Sequence, residues 1–314
     1  MIGGFFAFFV LATGRANMII FTTLWLLYGS IVHIGQTWFG FGWESQLMET
    51  GFLCIFLTPT LFSLPPPSSS QTPPLVRYGL RWLLFRIMLG AGLIKIRGDE
   101  CWRDLTCMNY HYETQPVPNP ISCFLHSLPP RFHTTEVLFN HFVELITPFF
   151  YFMTRDIRVM GGVFQVIFQS LIIMSGNLSF LNWLTIFPAL SCFDDAFLSS
   201  CWSFIPFHNQ ITWIVQLLSF QGSFYPIKGH NEKKSNTPSI ILSVLHVLIA
   251  FLLLFLSIPV VQNLLSSSQA MNTSFDTFRI VNTYGAFGSV TKERHEIILE
   301  VTDDQVFLNF KNDF

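Results

Sequence analysis

The sequence predicts a polytopic α-helical membrane protein of about 4–6 apolar membrane segments, followed by a β-rich C-terminal region. Three observations carry this expectation. Of 314 residues, 51% are hydrophobic and only 11% charged, against about 25% charged in ordinary soluble domains. Thirty-six phenylalanines and a mean hydropathy of +0.47 point the same way. The run IILSVLHVLIAFLLLFLSIPVV, Ile240 to Val261, has the length to cross a hydrocarbon core of about 30 Å at about 1.5 Å per residue. A net charge of −2 gives no reason to expect nucleic acid as a partner.

The segments follow in order. Ile2 to Gly35 holds one charge, Arg15, and reads as one span plus an interfacial piece or as a tight pair. No cationic stretch precedes the apolar core of Met1 to Thr13, so it reads as membrane segment and not as a cleavable signal. Gly51 to Leu64 is apolar but short, which suits an interfacial or re-entrant piece. Residues 65–74 are a Pro/Ser linker of extended character.

Tyr78 to Ile96 reads as a span carrying Arg81, Arg86 and Lys95. Cations inside a membrane face protein or a wet cavity, because each costs about 2.5–3.5 kcal/mol at mid-bilayer even on a lenient scale. Arg81 and Lys95 share a helical face and Arg86 points elsewhere, so polar neighbours are required on more than one side. Val137 to Met153 is apolar except for His141 and Glu144, an i,i+3 pair expected to hydrogen-bond to Arg81 or Arg86. These five residues form the expected intramembrane polar network. Val159 to Phe193 is uncharged and is either one long tilted helix or a hairpin turning at Gly176. Phe278 to Thr302 reads as two or three strands.

Sidedness comes from charge. Lys228, Lys233 and Lys234 precede the last span, which places them in the cytosol and the following tail in the lumen. Asn272-Thr273-Ser274 is then a glycosylation sequon on the luminal side. The expected organisation is a multi-pass domain, 1–265, and a luminal tail, 266–314. The linker 65–74 and a loop at about 195–239 are cytosolic, and a loop at about 97–136 is luminal. Counting back from the last span puts that loop in the lumen if Val159 to Phe193 crosses once. Lys95, Arg97, Arg103 and Arg131 argue the other way.

Little of the sequence speaks for chemistry. His111, Glu113, His126 and His133 are the nearest thing to a metal cluster, but no closed zinc spacing is present, and neither metal nor cofactor is expected. There is no Ser-His-Asp order, phosphate-binding glycine loop or G-x-S-x-G elbow. Lys95 with His111 and Glu113 sustains a rival intramembrane transferase, and the interior charges sustain a transporter-like rival without an inverted repeat. Cys101, Cys107 and Cys123 share one loop, where a disulfide in an oxidising lumen and unpaired buried thiols are both open.

FRIMLGAGLIKIRGDECWRDLTCMNYHYETQPVPNP, Phe85 to Pro120, resembles the signature of the lipase maturation factor family. The resemblance continues through GWESQLMETGF, NHFVELITPFF, SGNLSFLNWLT, CFDDA, SIPVVQNLLSS and IVNTYGAFGSVTKER. It implies an endoplasmic-reticulum membrane protein, with the 97–136 loop luminal, that brings secreted dimeric lipases to their active fold. Lipoprotein, hepatic and endothelial lipase are the implied clients, held by chaperone-like binding and not by bond-making chemistry. Immature lipases, folding and redox proteins of that compartment, and membrane lipid are the implied partners. Arg103, Asp104, His111, Tyr112, Glu113 and Gln115 are then client-recognition residues. Against the family pattern the chain starts inside a transmembrane helix and stops within the luminal domain, so the β-rich region reads as incomplete.

Overall fold

In the computed structural model, residues 1–58, 60–64, 72–203 and 240–294 are described. They form a bundle of packed helices. The N-terminal stretch is a pair, α1 (Ile2–Thr13) and α2 (Met18–Gly35). Gly14, in the left-handed conformation at φ 63°, ends α1 with its N–H on Val10 O. Asn17 restarts the chain by accepting from Ile20 N at 2.9 Å. Arg15, the one charge, falls in the break.

The next helix, α3 (Gly42–Ile55), returns alongside α2, and α4 (Pro74–Arg97) begins on a proline whose missing N–H costs nothing at a first helical turn. The start of Gly51 to Leu64 is helical and buried. Gly51 to Ile55 closes α3, and Phe52, Leu53, Ile55 and Phe56 form a core with Val76, Leu80 and Val260. Partners contributed by other helices bury this stretch, which a short apolar run cannot announce.

Four short helices follow: α5 (Glu100–Arg103), α6 (Met108–Thr114), α7 (Pro120–His126) and α8 (Pro130–His141). A π-helical turn at Phe142–Ile146 joins α8 to α9 (Thr147–Phe150). Pro148 cannot donate to the preceding turn, which accounts for the local widening. Val159 to Phe193 takes the hairpin form: α10 (Arg155–Ser175) ends at Gly176 and α11 (Leu181–Ala189) packs back on it. After α12 (Asp195–Ser203), the last helix is α13 (Ile240–Leu265), four residues longer than the apolar run suggested.

Among the described residues, three helices are long and apolar enough to cross a membrane: Met18–Phe39, Arg155–Ser175 and Ile240–Leu265. Ile2–Thr13 and Leu181–Cys192 are shorter apolar helices. The charged α4 stays outside that class by composition although its length of 24 residues is sufficient.

The expected β-rich tail takes another form over its described part. No strand forms among the described residues, and the one feature of that kind is an isolated bridge between Ser274 and Asn282. Ile280, Val281, Thr283 and Tyr284, whose β-branched and aromatic character suggested strands, are buried against helices instead. Residues 295–314 of the expected β region, 65–71 of the linker, and 204–239 with Lys228, Lys233 and Lys234 lie outside the described residues.

Candidate functional site

At one end of the bundle the loop after α4 and the tail after α13 meet. Arg97 NH2 donates to Leu264 O at 2.9 Å and NH1 to Gln269 Oε1 at 2.7 Å, tying the C-terminal ends of α4 and α13 together. Asp99 N donates to Gly288 O, and Trp102 Nε1 to Phe287 O at 2.7 Å. Arg294 NH1 reaches the carbonyls of Glu113 and Gln115. Loop and tail thus form one face, and the α10–α11 turn joins it through Gln115 Nε2 on Ser175 O at 3.1 Å.

The tail does more than touch this face. Between Arg279 and Phe287, both non-glycine residues with positive φ (54° and 56°), it runs down beside α4 to about half the helix length. Contact is close enough that a Cβ on Gly90 would collide with the Tyr284 carbonyl, and one on Gly98 with the Gly288 carbonyl. Non-helical backbone buried among apolar helices needs its polar groups satisfied by protein. Glu49 and Arg86 do this. Arg86 is in a buried ion pair with Glu49, and its NH1 donates to Asn282 O at 2.6 Å. Glu49 Oε2 accepts from Asn282 N at 3.2 Å, Asn282 Nδ2 at 3.1 Å and Tyr284 OH at 2.8 Å. The buried cation and anion together hold one turn of irregular chain.

A second buried pair lies toward the loop. Lys95 Nζ donates to Glu144 Oε1 at 2.6 Å and to Asn140 Oδ1 at 3.0 Å, and stands 4.9 Å over the Trp102 ring. Glu144 sits in the π-helical turn, which turns its carboxylate toward α4. Arg81 donates from Nε and NH2 to Ser191 O. The expectation that His141 and Glu144 serve Arg81 or Arg86 is therefore corrected. Glu144 takes Lys95, and His141 Nε2 is 2.9 Å from Trp102 O. Arg86 takes Glu49, on α3, a residue that helical spacing around α4 alone did not point to. The need for polar neighbours on two sides of α4 is met as the spacing required.

The six recognition candidates divide by environment. Arg103 NH1 caps the end of α4 on the carbonyls of Ile96 and Gly98, both at 2.9 Å. Tyr112 is buried, with OH on Glu136 Oε1 at 2.6 Å, and Glu136 also meets His133 Nδ1 at 2.9 Å. Burial, then the Glu136 carboxylate, pushes the Tyr112 phenol well above its ordinary value. His111 packs edge-on to Phe287, and burial, with the Lys95 charge second, pushes its imidazole down to about 4. Gln115 is buried on backbone carbonyls. Asp104 and Glu113 are exposed, as is Arg103, and Glu113 lies 3.6 Å from His126.

The metal-like cluster comes apart: His133 pairs with Glu136, and Glu113 with His126. Among the described residues no group of three or more His, Cys, Asp or Glu is placed to hold a metal ion. Lys95, buried, and Glu113, turned to solvent, do not converge as the transferase rival requires. Cys101 and Cys107 are joined in a disulfide that closes the turn carrying Trp102, and Cys123 is exposed and unpaired.

The opposite end carries Arg155 on Asp194, with NH2 to Oδ1 at 2.9 Å, and Arg158 Nε on Cys192 O at 3.1 Å. The Arg155 guanidinium holds the Asp194 carboxyl down to about 2. Asn17 Nδ2 on Phe62 O ties α2 to the chain after α3 at this end.

Residues 1–200 match the family model described as the lipase maturation factor transmembrane domain. The chain is 55% identical over 294 residues to lipase maturation factor 1 of Mus musculus, covering 94% of this chain and 50% of that protein. It is 52% identical to lipase maturation factor 1 of Homo sapiens over the same shares of both chains. Lipase maturation factor 2 of Xenopus tropicalis is 38% identical over 183 residues, 57% of this chain and 26% of that protein. The chain spans about half the length of the first of these relatives, and no solved structure matches it. With the family model covering more than half of its residues, the chain belongs to the lipase maturation factor family.

Proposed function

We propose that this chain acts in the endoplasmic-reticulum membrane as a maturation factor for secreted dimeric lipases: lipoprotein, hepatic and endothelial lipase. The carrying observation is 55% identity, over 94% of the chain, to a protein named lipase maturation factor 1. It works by holding immature lipase on the joined face of loop and tail, without bond-making chemistry. Asp104 and Glu113 offer carboxylates to the client there. Arg103, His111, Tyr112 and Gln115 keep the face in shape.

That face is luminal in this reading: Val159 to Phe193 turns back as a hairpin instead of crossing once, but the loop meets the tail after α13 at one end and takes the side of that tail. Arg155 and Arg158 mark the opposite end of the bundle, while Arg97, Arg103 and Arg131 stand at the loop end, so the assignment rests on the tail and not on the charge count. Exposed Asn272, beside Gly42 at the loop end, is then a glycosylation site. Luminal folding and redox proteins would share the face, which also suits the Cys101–Cys107 disulfide.

The test is secreted lipoprotein lipase activity and mass from cells lacking the endogenous factor, with this chain restored. Activity regained at unchanged lipase mass supports the reading. Failure by this chain where a full-length relative succeeds assigns the missing function to segments outside these 314 residues. An endoglycosidase-sensitive shift abolished by Asn272→Gln checks sidedness separately, and its absence would move the face to the cytosol.

A further inference from the structure

The polarity of α7 is inverted for a helix in a solvated loop. It buries Ser122 and exposes Ile121 and Phe124, the latter by 75%. Its inward side is hydrogen-bonded to its own cap: Asn119 Oδ1 accepts from Ser122 N at 2.9 Å, and Ser122 Oγ donates to Asn119 O at 2.5 Å. Val117, just before this helix, and Phe132 and Leu138 on α8 are exposed as well.

What this surface adjoins decides what covers it. α7 packs on the last turn of α10, where Asn119 Nδ2 donates to Met174 O at 2.8 Å. α10 is one of the helices able to cross a membrane, and Ile167, Leu171 and Met174 form an exposed stripe along it at helical spacing. The apolar side of α7 therefore continues a surface that faces acyl chains. Two exposed indoles stand at the same end, Trp183 in the first turn of α11 and Trp38 just after α2. Such rings settle at the boundary between hydrocarbon and water. Arg131, exposed in the first turn of α8, is placed to lie at the level of lipid phosphates while its stem stays apolar.

We infer that α7 with the first turns of α8 is an interfacial helix, lying in the plane of the membrane with Ile121 and Phe124 among the upper acyl chains. Amphipathic segments bind a bilayer in this way through their apolar face. The inference goes beyond the lipase reading and holds or fails independently of it. It means that the loop between α4 and α8 is fastened to the bilayer surface at its far end, and only its first half stands clear of lipid.

The experiment places the photoreactive residue p-benzoylphenylalanine at position 124, at 167 as the lipid-facing reference, and at 104 as the water-facing one. The whole chain is used in liposomes of phosphatidylcholine and phosphatidylethanolamine. After irradiation, adducts are identified by mass. Phospholipid adducts at 124 are expected at the same order of yield as at 167, and about tenfold above 104. Lipid adducts at 167 with none at 124 would overturn the inference, leaving that surface to water. A protein adduct at 124 in native microsomes, with no lipid adduct, would overturn it in favour of a bound protein.

Discussion

The two helices that meet at Arg97 and Leu264 are opposites. α13 carries no Asp, Glu, Lys or Arg, yet Ile241, Val244, Val247, Leu248, Phe251, Leu254 and Phe255 are exposed, and only Ser257, Val260 and Leu264 are buried. α4 carries three interior cations, and Arg81, Arg86 and Lys95 are all buried. In water the apolar helix would be the core and the charged one the surface. In lipid the apolar helix needs no partner, while the charged one must be surrounded. In these two helices hydropathy goes with the outward surface and charge with the surface that meets protein.

The comparison breaks most visibly at Glu49. Glu49→Ala leaves the Arg86 guanidinium and the Asn282 amide without their shared acceptor, a loss of about 3–5 kcal/mol for a broken buried pair. It should appear as a large drop in thermal unfolding temperature in detergent, with new protease cleavage within 272–290. Replacing Glu49 and Arg86 together by Met should cost less than either single change, because no unpaired charge remains. A Glu49→Ala chain as stable as the parent would remove the ion pair from the account. Lys95→Met is expected to cost less, about 2–3 kcal/mol, since Asn140 Nδ2 still donates to Glu144 at 3.0 Å. Denaturation of the Lys95 variant beside the Glu49 variant ranks the two pairs.

Gly90→Val tests the tail contact without touching a charge. Crowding against the Tyr284 carbonyl should cost about 1–3 kcal/mol, read as faster amide exchange in 280–286. His111 gives a pH effect of known sign. Its imidazole titrates at about 4 in the fold and at about 6.5 in the unfolded chain. The unfolded state therefore binds the proton first, and stability is full above about 6.5, falls as pH drops toward about 4, and levels below it. Protease protection of the loop should weaken across that window in the parent and stay flat in His111→Phe. The smallest effect is reserved for α13: Leu254→Ala, on the lipid-facing side, should shift stability by less than about 0.5 kcal/mol in the same assay. A loss comparable to Lys95→Met would show that α13 is packed against protein and would reverse the comparison.

Much of this contrast was legible in the residues. The last span, the hairpin alternative at Gly176 and the need for polar groups on two sides of α4 all follow from local periodicity and composition. The partners of the charges do not. Glu49 lies 37 residues from Arg86, and in isolation α3 gives no reason to prefer it over Glu44. Asn282 and Tyr284 were hidden differently, because an extended segment with alternating β-branched residues has the same pattern whether it pairs with a strand or slots beside a helix. Of the loop residues, burial set Tyr112 and Gln115 apart from the exposed Arg103, Asp104 and Glu113, a property fixed by distant contacts such as Tyr112 with Glu136 and Gln115 with Ser175. The inverted face of α7 was within reach of the sequence. Ile121 and Phe124 at i,i+3 on a helix capped by Asn119 and Pro120 are the signal, masked by reading the whole stretch as one luminal loop.

The clasp on Asn282 also bears on the order of assembly at the ribosome. Arg86 and Asn282 are separated by 196 positions, which at about 5–20 residues per second is a delay of roughly 10–40 s. For that interval Glu49 and Arg86 are both synthesised while the backbone they are to hold does not yet exist. The early helices must wait in a half-finished state, with a charged pair open on one side, until the last span has been threaded. Completion of the clasp is then set by the segment around Asn282, the later-made of its two halves.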